Sequence, residues 1–273
     1  MGSIDAKYFF ESPDELIEDI QNLMKVLEED KNKKLIRKVY EDIIEEINEN
    51  IYSVKENKKI LSTLYFSLNA VKENLEKNMV IQENYLKAIN DENKLLIEEL
   101  FEGIIISAKN EHEDNKLKYY GYLLGNIIFK ENLDRDEFNR LIKISRNLSY
   151  CQIKLINMYV ISQMIQVPIL KREDYTKTGV GSYKLLGILQ DTLDMIQKSI
   201  LNGSGNLVLD VVQINPSKIK VQGMGTLLYN LMSLNKMPYD EMEDLLDMLS
   251  SKNWYKKAFI KFMKAFLYVL KWT

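Results

Sequence analysis

Glu111-His112-Glu113-Asp114 is the stretch whose residue types look most like a metal site, and His112 is the chain's sole histidine. A usual zinc or iron site needs further imidazole or thiolate donors. On a helix, consecutive residues point in different directions, so at most two of these four could share one ion. The stretch is read as a solvated surface turn, and no metal ligand is expected. Cys151, the sole cysteine, lies two residues after a helix cap at Ser149 on an apolar segment. It reads as a small buried hydrophobe, since a Cys–His pair would require Cys151 and His112 to meet from distant positions. Gly-x-Gly occurs at Gly179–Gly181, Gly203–Gly205 and Gly223–Gly225. Backbone N–H groups there could hold a phosphate. None continues into a phosphate-loop or dinucleotide-binding pattern, and turn geometry accounts for them. Carboxylates are plentiful but scattered on polar helix faces, with none in the apolar setting that acid catalysis requires. The reading is of no catalytic residue, no cofactor-binding residue and no metal site, hence not an enzyme.

Composition bounds the alternatives. The length of 273 residues suits one large domain or two modest ones. Hydrophobic content of 46% with 28% charged residues is that of a folded protein rather than a disordered one. The net charge of −3, from 37 basic against 40 acidic residues, gives no general pull toward nucleic acid. One cysteine excludes an internal disulfide and fits a reducing compartment. The start of the chain carries no basic-then-apolar leader pattern, and no uninterrupted apolar run approaches the roughly 20 residues that span a bilayer. A cytoplasmic protein is expected.

The elements that would position any site begin with residues 14–102, which contain neither glycine nor proline. Ser12-Pro13-Asp14-Glu15 is a helix start with a capping box. Charged residues 28–34 mark a turn. Tyr40, Ile43, Ile47, Val54, Leu61, Leu64, Leu68, Val71 and Leu75 follow one alternating three-four step, with Asn50 and Asn57 filling two steps. Such a pattern fits a coiled-coil-like seam with register-fixing asparagines, or two successive antiparallel helices with a break at Asn57. Asn90-Asp91 is the expected cap of the next helix. Residues 110–115 read as a polar joint or as a solvent-exposed turn of a continuing helix, and Gly121 with Gly125 would let a second helix approach closely.

After residue 130 the pattern changes. Asp134 and Ser149 cap two helices, Pro168 ends the second, and a third is expected over residues 183–201 with Asn202-Gly203 closing it. Residues 207–214 read as a strand, residues 215–218 as a turn and residues 219–221 as the returning strand. Helices then start near Gly225 and Pro238. Helix, helix, helix, hairpin, helix is the order of a winged helix-turn-helix. The third helix carries Lys184 and Lys198 but also Asp191 and Asp194, and the wing carries Lys218 and Lys220. These four lysines are the candidate nucleic-acid contacts, opposed by the two aspartates.

Glu99 and Lys116 on a helix pair, then Leu148-Ser149-x-x-Gln152, then a hairpin running into a helix that begins at Gly225, resemble a loose set of uncharacterised bacterial and prophage helical proteins with a degenerate winged-helix unit. The resemblance covers about the last two-thirds of the chain. It implies a mobile-element or phage-defence setting and no known activity or site residues.

The last segment, 251–273, has six lysines and no acids. At helical spacing Trp254, Phe259, Phe262 and Phe266 share one side with other apolar residues. It could close the core, fit a partner's groove or lie on a membrane surface. The expectation is a mainly α protein: an N-terminal helical bundle or coiled-coil hairpin (1–130), a winged-helix-like domain with one small β-hairpin (131–250), and a basic amphipathic helix (251–273). The function expected is a protein-interaction or regulatory role, with self-association or a protein partner meeting Leu61, Leu64, Leu68, Val71 and the C-terminal aromatics. The alternatives are a winged-helix DNA-binding regulator and a membrane-acting effector.

Overall fold

The computed structural model describes residues 12–28, 30–49, 51–87, 94–164, 170–203 and 207–250. Among these the chain is mainly helical, with one two-stranded antiparallel sheet. No helix of the described residues is long and apolar enough to cross a membrane. Two compact units are present, Met1–Asn147 and Leu148–Thr273.

The first unit holds α1 (Pro13–Met24), α2 (Lys31–Asn48), α3 (Val54–Glu76), α4 (Leu96–Asn110), α5 (Leu117–Ile127) and α6 (Arg135–Asn147). α1 begins with the expected capping box between Ser12 and Glu15. The three-four pattern does not make one rod. α2 ends at Asn48, and Ser53 with Glu56 forms a second capping box that starts α3 afresh. The break therefore precedes Asn57, which sits buried in the first turn of α3.

α3 is the centre of this unit. Every residue from Ile60 to Leu68 is buried, so the helix is enclosed on all sides rather than along one stripe. Its three buried serine and threonine side chains are satisfied within the interior. Ser62 and Thr63 donate to the carbonyls of Lys58 and Lys59 at 2.8 and 3.0 Å, and Ser67 shares a 2.6 Å hydrogen bond with the Tyr40 hydroxyl. α1 and α5 pack most extensively on it. The α5 approach is backbone to backbone: a Cβ added at Gly121 would stand 2.5 Å from the Thr63 carbonyl oxygen, and one at Gly125 would collide with that of Ser67. The close helix approach expected from that glycine pair is present.

Leu61, Leu64, Leu68 and Val71 are fully buried in this unit. The seam that was expected to meet a partner chain meets helices of its own chain, and that expectation is corrected. The Asn90-Asp91 cap falls outside the described residues. α4 instead starts from Leu95, whose N–H donates to the Glu98 carboxylate at 2.8 Å. The division between units lies after α6 rather than at residue 130. Arg135 and Asn139 of α6 both donate to Glu99 of α4, at 2.7–3.0 Å, and Ile142 lies against Gly103.

The second unit holds α7 (Tyr150–Met164), α8 (Tyr183–Gln197), β1 (Leu201–Asn202), β2 (Lys220–Val221), α9 (Met224–Leu231) and α10 (Glu243–Leu249). Ser149 and Gln152 cap α7 reciprocally at 3.1 Å, as expected. α7 is this unit's central helix, with residues 155–161 all buried. α8 stops four residues earlier than expected, because Ser199 takes a left-handed conformation (φ 57°) and Ile200 turns back to the Met195 carbonyl.

The sheet also differs from the expected hairpin. Leu201 pairs with Val221 and Asn202 with Lys220, so residues 207–214 are not a strand. Local side chains take their backbone donors: Asp210 accepts from Val212 N–H at 3.1 Å, and Gln213 accepts from Leu209 and Asp210 N–H at 2.9 and 3.3 Å. That closes a 3-10 turn at Val211–Gln213 in place of an extended run.

Candidate functional site

Among the described residues a buried carboxylate, an ammonium and a phenol, Glu111, Lys116 and Tyr120, come together at the joint between α4 and α5. α4 ends at Asn110, and residues 111–113 leave the helix before a 3-10 turn at Asp114–Lys116 leads into α5. This exit drives the Glu111 side chain inward. Its carboxylate accepts the Lys116 ammonium at 2.5 Å and the Tyr120 hydroxyl at 2.6 Å on one oxygen. The other oxygen takes the backbone N–H groups of His112 and Glu113 at 2.9 and 3.0 Å. Lys116 also donates to the Arg146 carbonyl at 3.3 Å and lies over the Tyr120 ring. Lys59 of α3 donates to the Glu111 and Lys109 carbonyls. One buried cluster thus ties α3, α4, α5 and the end of α6 together.

The side chains of Lys116 and Glu111 are only 3% and 5% exposed. Burial by itself would raise the Glu111 carboxyl, but Lys116, Tyr120 and the Glu113 N–H override it and hold the group at about 2. Burial and the adjacent Glu111 charge push Tyr120 far above the ordinary phenol range. Both effects stabilise an ionised carboxylate against a neutral phenol at every physiological pH, the opposite of a poised acid–base pair.

The possible metal donors of Glu111, His112 and Glu113 lie within 4.8 Å of one another, closer than helical geometry would allow, because the segment is not helical. His112 is 89% exposed with Nδ1 3.3 Å from Glu111. Glu111, however, already spends both oxygens on internal donors. Its burial is what the sequence reading missed. The spacing Glu111, Lys116, Tyr120 was visible, but the helix exit that turns them together was not.

The other candidates are similarly engaged. Cys151 is half-buried, and burial together with the neighbouring Asp191 carboxylate pushes its thiol up to about 12, so it is not an activated nucleophile. Gly179 and Gly223 have positive φ (65° and 49°), and Gly225 lies against the Ile200 carbonyl, so turn geometry and close packing occupy these glycines. Gly205 lies outside the described residues. A cavity of about 490 Å³ opens between the start of α2 and the end of α3, lined by Lys31, Lys33, Leu75 and Val80 among others. The Asp30 carboxylate caps α2 there by accepting from Lys33 N–H at 2.9 Å, taking a backbone donor that an anion would use.

The nucleic-acid candidates are spread out. Lys184 and Lys198 stand near opposite ends of α8, about 20 Å apart by helical rise. Lys184 pairs with Asp244 at 3.6 Å and Lys198 with Asp194 at 2.7 Å. Lys218 lies in a 3-10 turn and Lys220 is exposed on β2. Trp254, Phe259, Phe262 and Phe266 lie outside the described residues. Large apolar side chains that are exposed in the second unit include Tyr183 on α8 and Leu207 and Leu209 before the 3-10 turn. Comparison of the chain with models of known families, with curated proteins and with solved structures gives no match.

Proposed function

We propose that this chain is a non-enzymatic interaction or regulatory protein, and that the second unit carries its docking surface. The supporting observation is a contrast within the molecule. The buried ionisable cluster is saturated by its own neighbours, while Tyr183, Leu207 and Leu209 stand 95%, 79% and 70% exposed. Apolar groups held out in water at the start of a helix and ahead of a 3-10 turn suit a partner surface better than a reaction centre. The fully buried Leu61, Leu64, Leu68 and Val71 cannot serve that purpose without unfolding the first unit. A mobile-element or phage-defence setting belongs to the same proposal and rests on the resemblance described above.

A photo-crosslinking amino acid at Leu207, Leu209 or Glu83, an exposed first-unit control, tests the reading in cells. Discrete protein adducts from residues 207 and 209, absent from residue 83, are expected. No adduct at either leucine refutes the docking reading. Duplex-DNA binding that falls steeply with salt and is lost on Lys218→Glu with Lys220→Glu would favour the winged-helix regulator instead. Liposome binding lost on removing residues 251–273 would favour the membrane effector.

A further inference from the structure

The end of the described chain concentrates one sign of charge. Residues 239–250 hold five acids, Asp240, Glu241, Glu243, Asp244 and Asp247, and no base. Two of them serve helices of the second unit: Glu241 accepts the Tyr150 hydroxyl, and Asp244 pairs with Lys154 at 3.3 Å and Lys184 at 3.6 Å. The other three face away from the core. Met242, Leu245, Leu246 and Leu249 are buried, whereas Asp240, Glu243 and Asp247 are exposed. Their steps of three and four residues set them along one edge of α10 and of the 3-10 turn (Tyr239–Met242) that leads into it. Like charges one turn apart repel, and Asp247 near the helix C-terminus also opposes the dipole. Such an edge is stabilised by a basic occupant.

The chain itself supplies one. Residues 251–273 hold six lysines and no acid, and they begin where α10 ends. Ser250 leaves the helix in an extended conformation (φ −83°, ψ 154°) and bridges to Leu170, which tethers the following segment at the C-terminal end of the acidic edge. The spacing matches as well. Asp240, Glu243 and Asp247 are separated by three and then four residues, and Lys257, Lys261 and Lys264 by four and then three. Run antiparallel, the two sets coincide at every position: Asp247 with Lys257, Glu243 with Lys261, and Asp240 with Lys264. We infer that residues 251–273 fold back along α10 in this register, pairing their lysines with its acidic edge. Ser250 to Asn253 then make the connection, a usual length between antiparallel helices.

The inference goes beyond the docking reading, and its test leaves adducts at Leu207 and Leu209 untouched. Amide hydrogen exchange of the full chain, read by mass spectrometry, is expected to show protection across residues 255–266. Glu243→Lys with Asp247→Lys should speed that exchange at least tenfold, and so should Lys257→Glu with Lys261→Glu, while residues 155–161 of α7 stay protected. All four changes together should restore the protection, since the pairs are then re-formed with the signs exchanged. For the register, Glu243→Cys with Lys261→Cys, in a Cys151→Ser background, should close an intramolecular disulfide on mild oxidation well ahead of Glu243→Cys with Lys271→Cys. An unprotected 255–266 segment in the wild type, exchange unchanged by both reversals, no recovery in the fourfold variant, or equal rates for the two cysteine pairs would overturn the fold-back. Protection that appears only on adding phosphatidylserine vesicles would overturn it in favour of a lipid surface.

Discussion

Replacing Glu111 by glutamine keeps the shape of the side chain and removes its charge, leaving Lys116 buried without an anion. Truncating one partner of a buried ion pair costs about 3–5 kcal/mol, because the remaining charge stays out of water. Proton linkage gives an independent figure. A carboxyl that ionises at about 2 instead of its ordinary 4.5 contributes about 3 kcal/mol of stability at neutral pH. The sign follows from the depressed value: the stabilisation is complete above pH 4.5 and is lost as pH falls toward 2. Urea unfolding followed by far-UV circular dichroism reads both effects. With a slope of about 2 kcal/mol/M, Glu111→Gln should lower the first unit's midpoint by about 1.5–2.5 M at pH 7 without changing the slope. The gap between wild type and variant should close as the pH is lowered from 5 to 2.5. Adding Lys116→Met to Glu111→Leu should recover much of the loss, since the orphaned charge is then gone. A Glu111→Gln midpoint within about 0.3 M of wild type, or a gap independent of pH, would refute the account of the cluster as a structural lock.

Other consequences are as direct. Gly121→Ala or Gly125→Ala should destabilise the first unit by about 1–3 kcal/mol or more in the same assay, since the added methyl meets α3 backbone rather than a movable side chain. Ser53→Ala removes the capping box of α3 and should cost about 1 kcal/mol, with faster amide hydrogen exchange at Glu56. Cys151, with its thiol pushed up to about 12, should react with iodoacetamide at pH 7.5 about a thousandfold more slowly than an ordinary thiol, and Asp191→Asn should speed it.

The features legible in the sequence are those whose cause is local. Ser12 with Glu15, Asp134 with Glu137 and Ser149 with Gln152 close reciprocal bonds over three residues, so the caps could be read from spacing alone. Gly121 and Gly125 were legible for a similar reason: one helical turn fixes their common face. The break between α2 and α3 was also written locally, in Ser53 and Glu56, but the apolar rhythm across residues 40–75 left one seam and two successive helices equally open and set the break at Asn57. That rhythm reports which residues are apolar, and it is blind to whether the chain between them stays helical. The 207–214 segment failed in the opposite direction. Its β-branched composition favours a strand, yet Asp210 and Gln213 compete for the backbone donors and win, because their bonds need no distant strand to form.

What composition hides most completely is the enclosed helix. Ser62, Thr63 and Ser67 look like part of a solvated face, and the seam residues Leu61, Leu64 and Leu68 look like a stripe awaiting a partner. Both impressions fail for the same physical reason. A hydroxyl that returns its hydrogen bond to the preceding turn, or to Tyr40, can be buried at little cost, and its small size admits a glycine helix alongside. Thr63 and Ser67 on α3 are the counterparts of Gly121 and Gly125 on α5, four residues apart on each side. Small polar residues and glycines that repeat with the same spacing on two helices therefore mark a backbone contact between them.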